Sequence, residues 1–208
     1  MTRPLRVGGL TPLTTLDYPG ELAAVLYCQG CPWRCRYCHN AGLLPATGAP
    51  THDWGAVLAW LQRRRGLLDA VVFSGGEPTA QAALPEAVRA VRELGFKIGL
   101  HSAGIYPERL RALLPLLDWV GLDIKALPAA YPAITGVPGS GAPAWRSARL
   151  LARSGVAHQL RLTRHPSLTG DADLAAVRRE LARIGAAPLV VQRCNGERCL
   201  DPTLAGTA

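Results

Sequence analysis

Short apolar runs recur along this chain, separated by longer stretches in which apolar residues return every three or four positions. The runs at residues 22–27 (LAAVLY), 70–74 (AVVFS), 97–101 (KIGLH), 119–124 (WVGLDI), 158–163 (HQLRLT) and 189–192 (LVVQ) have the length and side-chain type of buried strands. The intervening stretches 53–65, 80–94, 107–117, 145–154 and 171–184 carry the helical period. Asp171 is placed to cap a helix running from Ala172, and Pro107 suits a first helical turn. Gly66, Gly95, Gly155 and Gly185 each stand just past a helical stretch, where a glycine in the left-handed conformation closes a helix.

Strands alternating with helices through short connections predict parallel β/α units, and near-continuous apolar strands predict a sheet covered on both faces. Six such units are too few for a complete eight-fold barrel of about 250 residues, which leaves an open partial barrel or a doubly wound sheet. Both folds gather ligands at the C-terminal ends of their strands. The unusual polar and glycine residues fall there. A cysteine cluster follows the first run and Ser74-Gly75-Gly76-Glu77-Pro78 the second. His101-Ser102-Ala103-Gly104 ends the third, Asp123-Ile124-Lys125 the fourth, and Arg161 lies late in the fifth. They predict one site rather than five. Residues 135–143 (TGVPGSGAP) read as a flexible loop, and the segment after Leu200 as a short tail.

Composition narrows the setting. At 208 residues with 49% hydrophobic content the chain is expected to be one globular domain, 1–208, with a core at about 8–193. It has no apolar run of about 18 residues and no signal-like start, so no membrane association and a cytoplasmic, reducing location are expected. The formal charge of +8 comes from 23 basic residues of which only Lys97 and Lys125 are lysines. That arginine bias, with abundant Ala, Gly, Pro and Leu, reads as coding composition. The densest basic run, Arg63-Arg64-Arg65, reads as a solvated helix face, so a nucleic-acid partner is not expected.

Four of the six cysteines lie in Cys28-Gln-Gly-Cys31-Pro-Trp-Arg-Cys35-Arg-Tyr-Cys38-His-Asn40. In a reducing compartment such clustering points to metal or catalysis before disulfides. Structural zinc sites set two ligand pairs further apart than this, and ferredoxin-type runs have other spacings. Cys28 falls at the end of an apolar strand and reads as a small buried hydrophobe, leaving Cys31-x3-Cys35-x2-Cys38. Cys194 and Cys199 are half a metal site at most and read as structural thiols.

Cys31-x3-Cys35-x2-Cys38, with an aromatic residue before the last cysteine, resembles the signature of radical S-adenosylmethionine enzymes. The resemblance implies a partial (β/α)6 barrel and a [4Fe–4S] cluster held by Cys31, Cys35 and Cys38. One iron would be left open to chelate S-adenosyl-L-methionine, whose reductive cleavage yields a hydrogen-abstracting 5′-deoxyadenosyl radical. Gly75, Gly76 and Glu77 match the family's glycine–glycine–glutamate segment at the methionine amino group, and Arg161 matches an arginine paired with the carboxylate. Tyr37 and His39 match positions lying against the adenine, and Ser102 matches a polar contact. Asp123 and Lys125 match an Asp-x-Lys segment that binds the methionine end in activases of glycyl radical enzymes. Where such activases carry an acid at the third strand end, this chain has His101, which removes one acid from any cation site shared with Asp123.

Cys38-His39-Asn40, Gln29-Gly30-Cys31 and the N-terminal Gly9–Gly20 strand and turn ending in Asp17-Tyr18-Pro19-Gly20 also resemble glycyl-radical-enzyme activases. The compact activators of anaerobic ribonucleoside-triphosphate reductase are the most similar branch. The substrate would then be a glycine in a loop of a glycyl radical enzyme, and the electron donor a reduced flavodoxin or ferredoxin. A radical enzyme acting on a small molecule, such as 7-carboxy-7-deazaguanine synthase, is the alternative within the class. A non-catalytic zinc-binding module is the alternative outside it.

Overall fold

The computed structural model describes residues 3–48, 50–186 and 188–204. The two ends of the expected domain, including residues 205–208 of its tail, lie outside the described residues. One sheet contains seven strands in chain order: β1 (Val7–Thr14), β2 (Ala23–Cys28), β3 (Ala70–Gly75), β4 (Lys97–Ser102), β5 (Trp119–Asp123), β6 (Ala157–Arg164) and β7 (Leu189–Arg193). β1 runs antiparallel to β2, and every later pair is parallel. The six strands expected from apolar runs are β2 to β7, each within one residue of its expected bounds.

Helices fill the crossovers. α1 (Trp54–Gln62) leads to β3, α2 (Leu84–Glu93) to β4 and α3 (Pro107–Leu113) to β5. The short α4 (Tyr131–Thr135) and α5 (Gly141–Ala152) precede β6, and α6 (Asp171–Arg183) precedes β7. Side chains alternate across each strand, so the two faces bury different sets. Ala24, Leu26, Val71, Phe73, Ile98 and Leu100 pack with the helices' Val57, Leu61, Val88 and Val91 in the main core. Ala23, Val25, Ala70 and Val72 face the other way, onto Tyr18 and Trp119, whose rings stack at 5.3 Å. A sheet buried on both faces is what the apolar runs required.

Several boundaries differ from expectation for local reasons. α2 begins only at Leu84, after a 3-10 turn at Pro78–Ala80, with Pro85 in its first turn. α3 stops at Leu113 because Pro115 has no N–H to continue the ladder, and a 3-10 turn, Leu114–Leu116, follows. Asp171 is not the cap of α6. Gly170 occupies that position, its N–H bonded to the Asp173 carboxylate at 3.0 Å, while Asp171 pairs with Arg164 at 2.8 Å. Residues 135–143 are not a flexible loop either. Thr135 ends α4, α5 begins at Gly141, and the buried hydroxyls of Thr135 and Ser140 bond each other at 2.7 Å. The four helix-ending glycines all have positive φ, from +69° to +94°.

Candidate functional site

The cysteine segment after β2 has little regular structure of its own, and neighbouring backbone pins it. Gly30 and Cys31 donate to the carbonyls of Leu43 and Leu44 at 2.7 and 3.1 Å, while Arg34 and Arg36 donate to Thr135 and Ile134 at 2.9 Å each. Buried Trp33 meets Tyr131 edge-on, with centroids 5.9 Å apart. On a further side Asp201 donates its N–H to the Arg36 carbonyl at 2.8 Å and its carboxylate pairs with the Arg36 guanidinium at 2.7 Å. Held this way, Cys31, Cys35 and Cys38 line one cavity of about 200 Å³. Burial pushes the Cys31 thiol up to about 12 and raises that of Cys35 as well. Cys28 lies apart in the main core, fully buried, its thiol pushed far up by the same cause.

The glycine pair after β3 is required by the protein's own backbone. Gly75 has φ +111°, and a Cβ there would come 2.4 Å from the Cys28 nitrogen; one on Gly76 would come 2.4 Å from the Gly30 carbonyl oxygen. The two segments are bonded as well as close, with Gly76 N–H donating to Cys28 and Glu77 N–H to Gly30, both at 2.9 Å. Glycine therefore brings the β3 turn against the start of the cysteine segment. Glu77 is fully buried and does not line the cavity. Its Oε1 accepts from the Thr79 N–H at 3.1 Å, the Thr79 hydroxyl and the Ser102 hydroxyl at 2.9 Å, and its Oε2 accepts from Ala103 N–H at 2.9 Å. Burial raises its pKa while these donors oppose the rise.

Beyond β5 and β6 the cavity carries fixed charge. Burial opposes ionisation of Asp123, but Arg161 and Lys125 outweigh it and hold the carboxyl below its ordinary range. Arg161 reaches that carboxylate through both Nε, at 3.1 Å, and Nη2, at 3.0 Å. Lys125 is buried over the Tyr37 ring at 5.2 Å. Burial works against its ammonium too, yet Tyr37, Cys35 and Asp123 keep it well above the usual lysine range. His101 lies between Asp17, Ser74 and the Arg161 guanidinium, which approaches its Nε2 at 3.2 Å. Burial first and Arg161 second lower its pKa to about 4, so it is neutral near pH 7. The position where an acid was missed thus holds an uncharged ring against Arg161.

Tyr37, His39, Gly75, Gly76, Ser102, Asp123, Lys125 and Arg161 line the same cavity as the three thiols, so of the residues singled out from the sequence only Glu77 stands behind it. Ser74 and Asn40, read from the sequence only as parts of their segments, also line it, and so does Thr163, to which the sequence reading gave no role. Thr163 falls two residues after Arg161 on β6, so strand alternation was the available signal. Three soft thiols beside a carboxylate, an ammonium and a guanidinium suit a thiolate-held iron–sulfur cluster with a zwitterionic ligand next to it. A zinc module would leave the charged half idle.

A family model described as the Radical SAM superfamily matches residues 25–175. A protein of Methanocaldococcus jannaschii named provisionally as a glycyl-radical enzyme activating enzyme is 36% identical over 124 residues, 57% of this chain and 50% of that one. The pyruvate formate-lyase-activating enzyme of Clostridium pasteurianum is 31% identical over 137 residues, 63% of this chain and 57% of that one. The chain therefore aligns with about half the length of these curated relatives. The crystal structure of Streptococcus suis SuiB bound to S-adenosylmethionine superposes with a TM-score of 0.62 at 14% identity, covering 80% of this chain and 39% of that one, which is a likeness of fold.

Proposed function

The chain belongs to the radical SAM superfamily, and from that premise we propose that it activates a glycyl radical enzyme by removing a hydrogen atom from one of its glycines. A [4Fe–4S] cluster and S-adenosylmethionine are the cofactors of the family, and when bound they supply one-electron cleavage of the sulfonium and a carbon-centred hydrogen abstractor. The observation that carries the reading is the convergence of five strand ends on one cavity. The cluster ligands would be Cys31, Cys35 and Cys38, three thiols of that cavity.

The other residues divide the ligand's charges between them. The Asp123 carboxylate attracts the methionine ammonium, and Lys125 and Arg161 attract its carboxylate. Because Arg161 already pairs with Asp123, ligand binding exchanges one ion-pair partner for another and leaves no bare buried charge. Gly75 and Gly76 present backbone to the ligand without side-chain bulk, and Glu77 acts from behind by fixing Ser102 and Ala103. Tyr37 and His39 border the space left for the nucleoside. The similarity to two activating enzymes favours a glycyl radical protein as substrate, and the compact motif set favours anaerobic ribonucleotide reductase, with a reduced flavodoxin or ferredoxin as donor.

Anaerobic reconstitution with iron and sulfide, reduction and addition of S-adenosylmethionine tests the first half. The protein should form 5′-deoxyadenosine and Cys35→Ala should form none. Adding candidate glycyl radical enzymes should then give the doublet of a glycyl radical by electron paramagnetic resonance with one of them. Nucleoside formation that responds to a small-molecule substrate, with no protein radical, would instead support the deazaguanine-synthase type of chemistry.

A further inference from the structure

Among the described residues, one group of three ligand atoms comes together within 4.8 Å, and it contains none of the three cavity thiols: it comprises His39, Cys194 and Cys199. Cys194 Sγ lies 3.8 Å from His39 Nε2 and 3.5 Å from Cys199 Sγ. A tetrahedral zinc with the usual bond lengths sets two thiolate sulfurs about 3.8 Å apart and a sulfur and an imidazole nitrogen about 3.6 Å apart. The spacing is far wider than the ~2 Å of a disulfide, and both cysteines are free thiols. It is also too tight for the corners of a cubane cluster, so it suits a single ion.

The three residues come from two distant parts of the chain. His39 follows the last cysteine of the β2 segment, while Cys194 follows β7 and Cys199 follows the 3-10 turn Gly196–Arg198. One contact bridges these parts independently of the trio, the Asp201 N–H donating to the Arg36 carbonyl at 2.8 Å. Two more hold the C-terminal segment against the end of β6: Cys194 N–H donates to the Arg164 carbonyl at 2.9 Å, and the Leu204 carbonyl lies 3.1 Å from His165 Nε2. Cys194 is buried and Cys199 half-buried, whereas His39 is exposed.

We propose that His39, Cys194 and Cys199 bind one divalent ion of zinc type, separate from the cluster, which fastens the C-terminal segment to the cysteine segment. Two thiolates and one imidazole form a borderline-soft donor set that selects zinc over magnesium or calcium. The exposed side at His39 leaves the fourth position to solvent or to another small donor. The two cysteines after β7 thus become part of a three-ligand set, joined by a histidine that the family resemblance places on the adenine side.

The test uses the full chain, purified anaerobically, with its iron and sulfide reconstituted and then equilibrated with zinc and desalted. Elemental analysis should find one zinc per chain in addition to the cluster iron. Zinc-edge X-ray absorption should show two sulfur neighbours and light nitrogen or oxygen neighbours. Cys194→Ser and Cys199→Ser should each weaken zinc retention at least tenfold against a chromophoric chelator, with iron content kept. Three or four sulfur neighbours would place the zinc on the cluster cysteines and overturn the proposal. So would equal zinc in wild type and Cys199→Ser, or no zinc together with a Cys194–Cys199 disulfide seen as a loss of 2 Da, the S–H hydrogens removed on oxidation. These readouts involve no turnover, so they separate this site from the activating function.

Discussion

At the scale of single residues, two buried groups show how the cavity is prepared before any ligand arrives. Glu77 takes four donors on two oxygens, and the Ala103 N–H cannot turn away from Oε2. In Glu77→Gln the new amide nitrogen must face either that N–H or the Thr79 and Ser102 donors. An unsatisfied buried donor costs about 1–3 kcal/mol, and a loss of that size should appear in denaturant unfolding of the apoprotein. His101 gives a pH signature. Its folded pKa of about 4 lies below the unfolded value near 6.5, so between those pH values the unfolded chain binds more protons. Its contribution is complete above the unfolded pKa and is lost as pH falls toward 4, about 2 kcal/mol of it by pH 5. Stability should therefore fall more between pH 7 and pH 5 in wild type than in His101→Gln. Parallel slopes would show that His101 takes up its proton in the fold as readily as in the unfolded chain.

At the scale of elements, α4 does more than connect β5 to β6. Its last turn presents the carbonyls that receive Arg34 and Arg36, and the Thr135 side chain closes that turn. The Thr135 hydroxyl donates to Tyr131 at 3.0 Å and also meets Ser140 and the Val137 N–H. Thr135→Val keeps the volume and leaves Ser140 and Val137 without that partner, a cost of about 1–3 kcal/mol. Hydrogen exchange should accelerate at least roughly fivefold over residues 131–140 and in the cysteine segment, while β2 to β5 keep their protection. Unchanged exchange in the cysteine segment would show that α4 does not hold it. This element was not read from the sequence, which placed no helix over residues 131–135. The six parallel strands could be read because apolar runs report burial on both faces directly. The start of α2 at Leu84 and the end of α3 at Leu113 were missed because Pro85 and Pro115 mark helix boundaries without changing the apolar pattern. Residues 135–143 misled because a Gly/Pro/Ser composition describes backbone freedom and not the buried hydroxyl pair that removes it. The cavity residues could be placed because strand order equals chain order, which puts consecutive strand ends side by side. Glu77's withdrawal from the cavity and the encounter of His39 with Cys194 depend on side-chain direction and on long-range contact, which local pattern does not encode.

At the scale of the molecule, the cavity gathers side chains or turns from β2, β3, β4, β5 and β6 into a common volume. A ligand bound there touches elements spread from Cys31 to Thr163, so it should stabilise the sheet as a whole rather than one loop. Binding to the folded form alone adds about 2.7 kcal/mol when the free ligand is at a hundred times its Kd. For a chain of 208 residues, each kcal/mol moves Tm by roughly 2–4 °C, so S-adenosylmethionine should raise the unfolding transition of the reconstituted protein by about 5–10 °C. The rise should be shared by signals from the helices and from the buried tryptophans Trp33, Trp119 and Trp145, because they lie in different parts of the fold. Cys38→Ser should abolish most of it by removing a cluster ligand, whereas Arg161→Ala should reduce it while leaving iron content intact. A shift confined to one probe would mean that the ligand meets only part of the cavity. The convergence of the strand ends would then be a feature of the fold and not of the site.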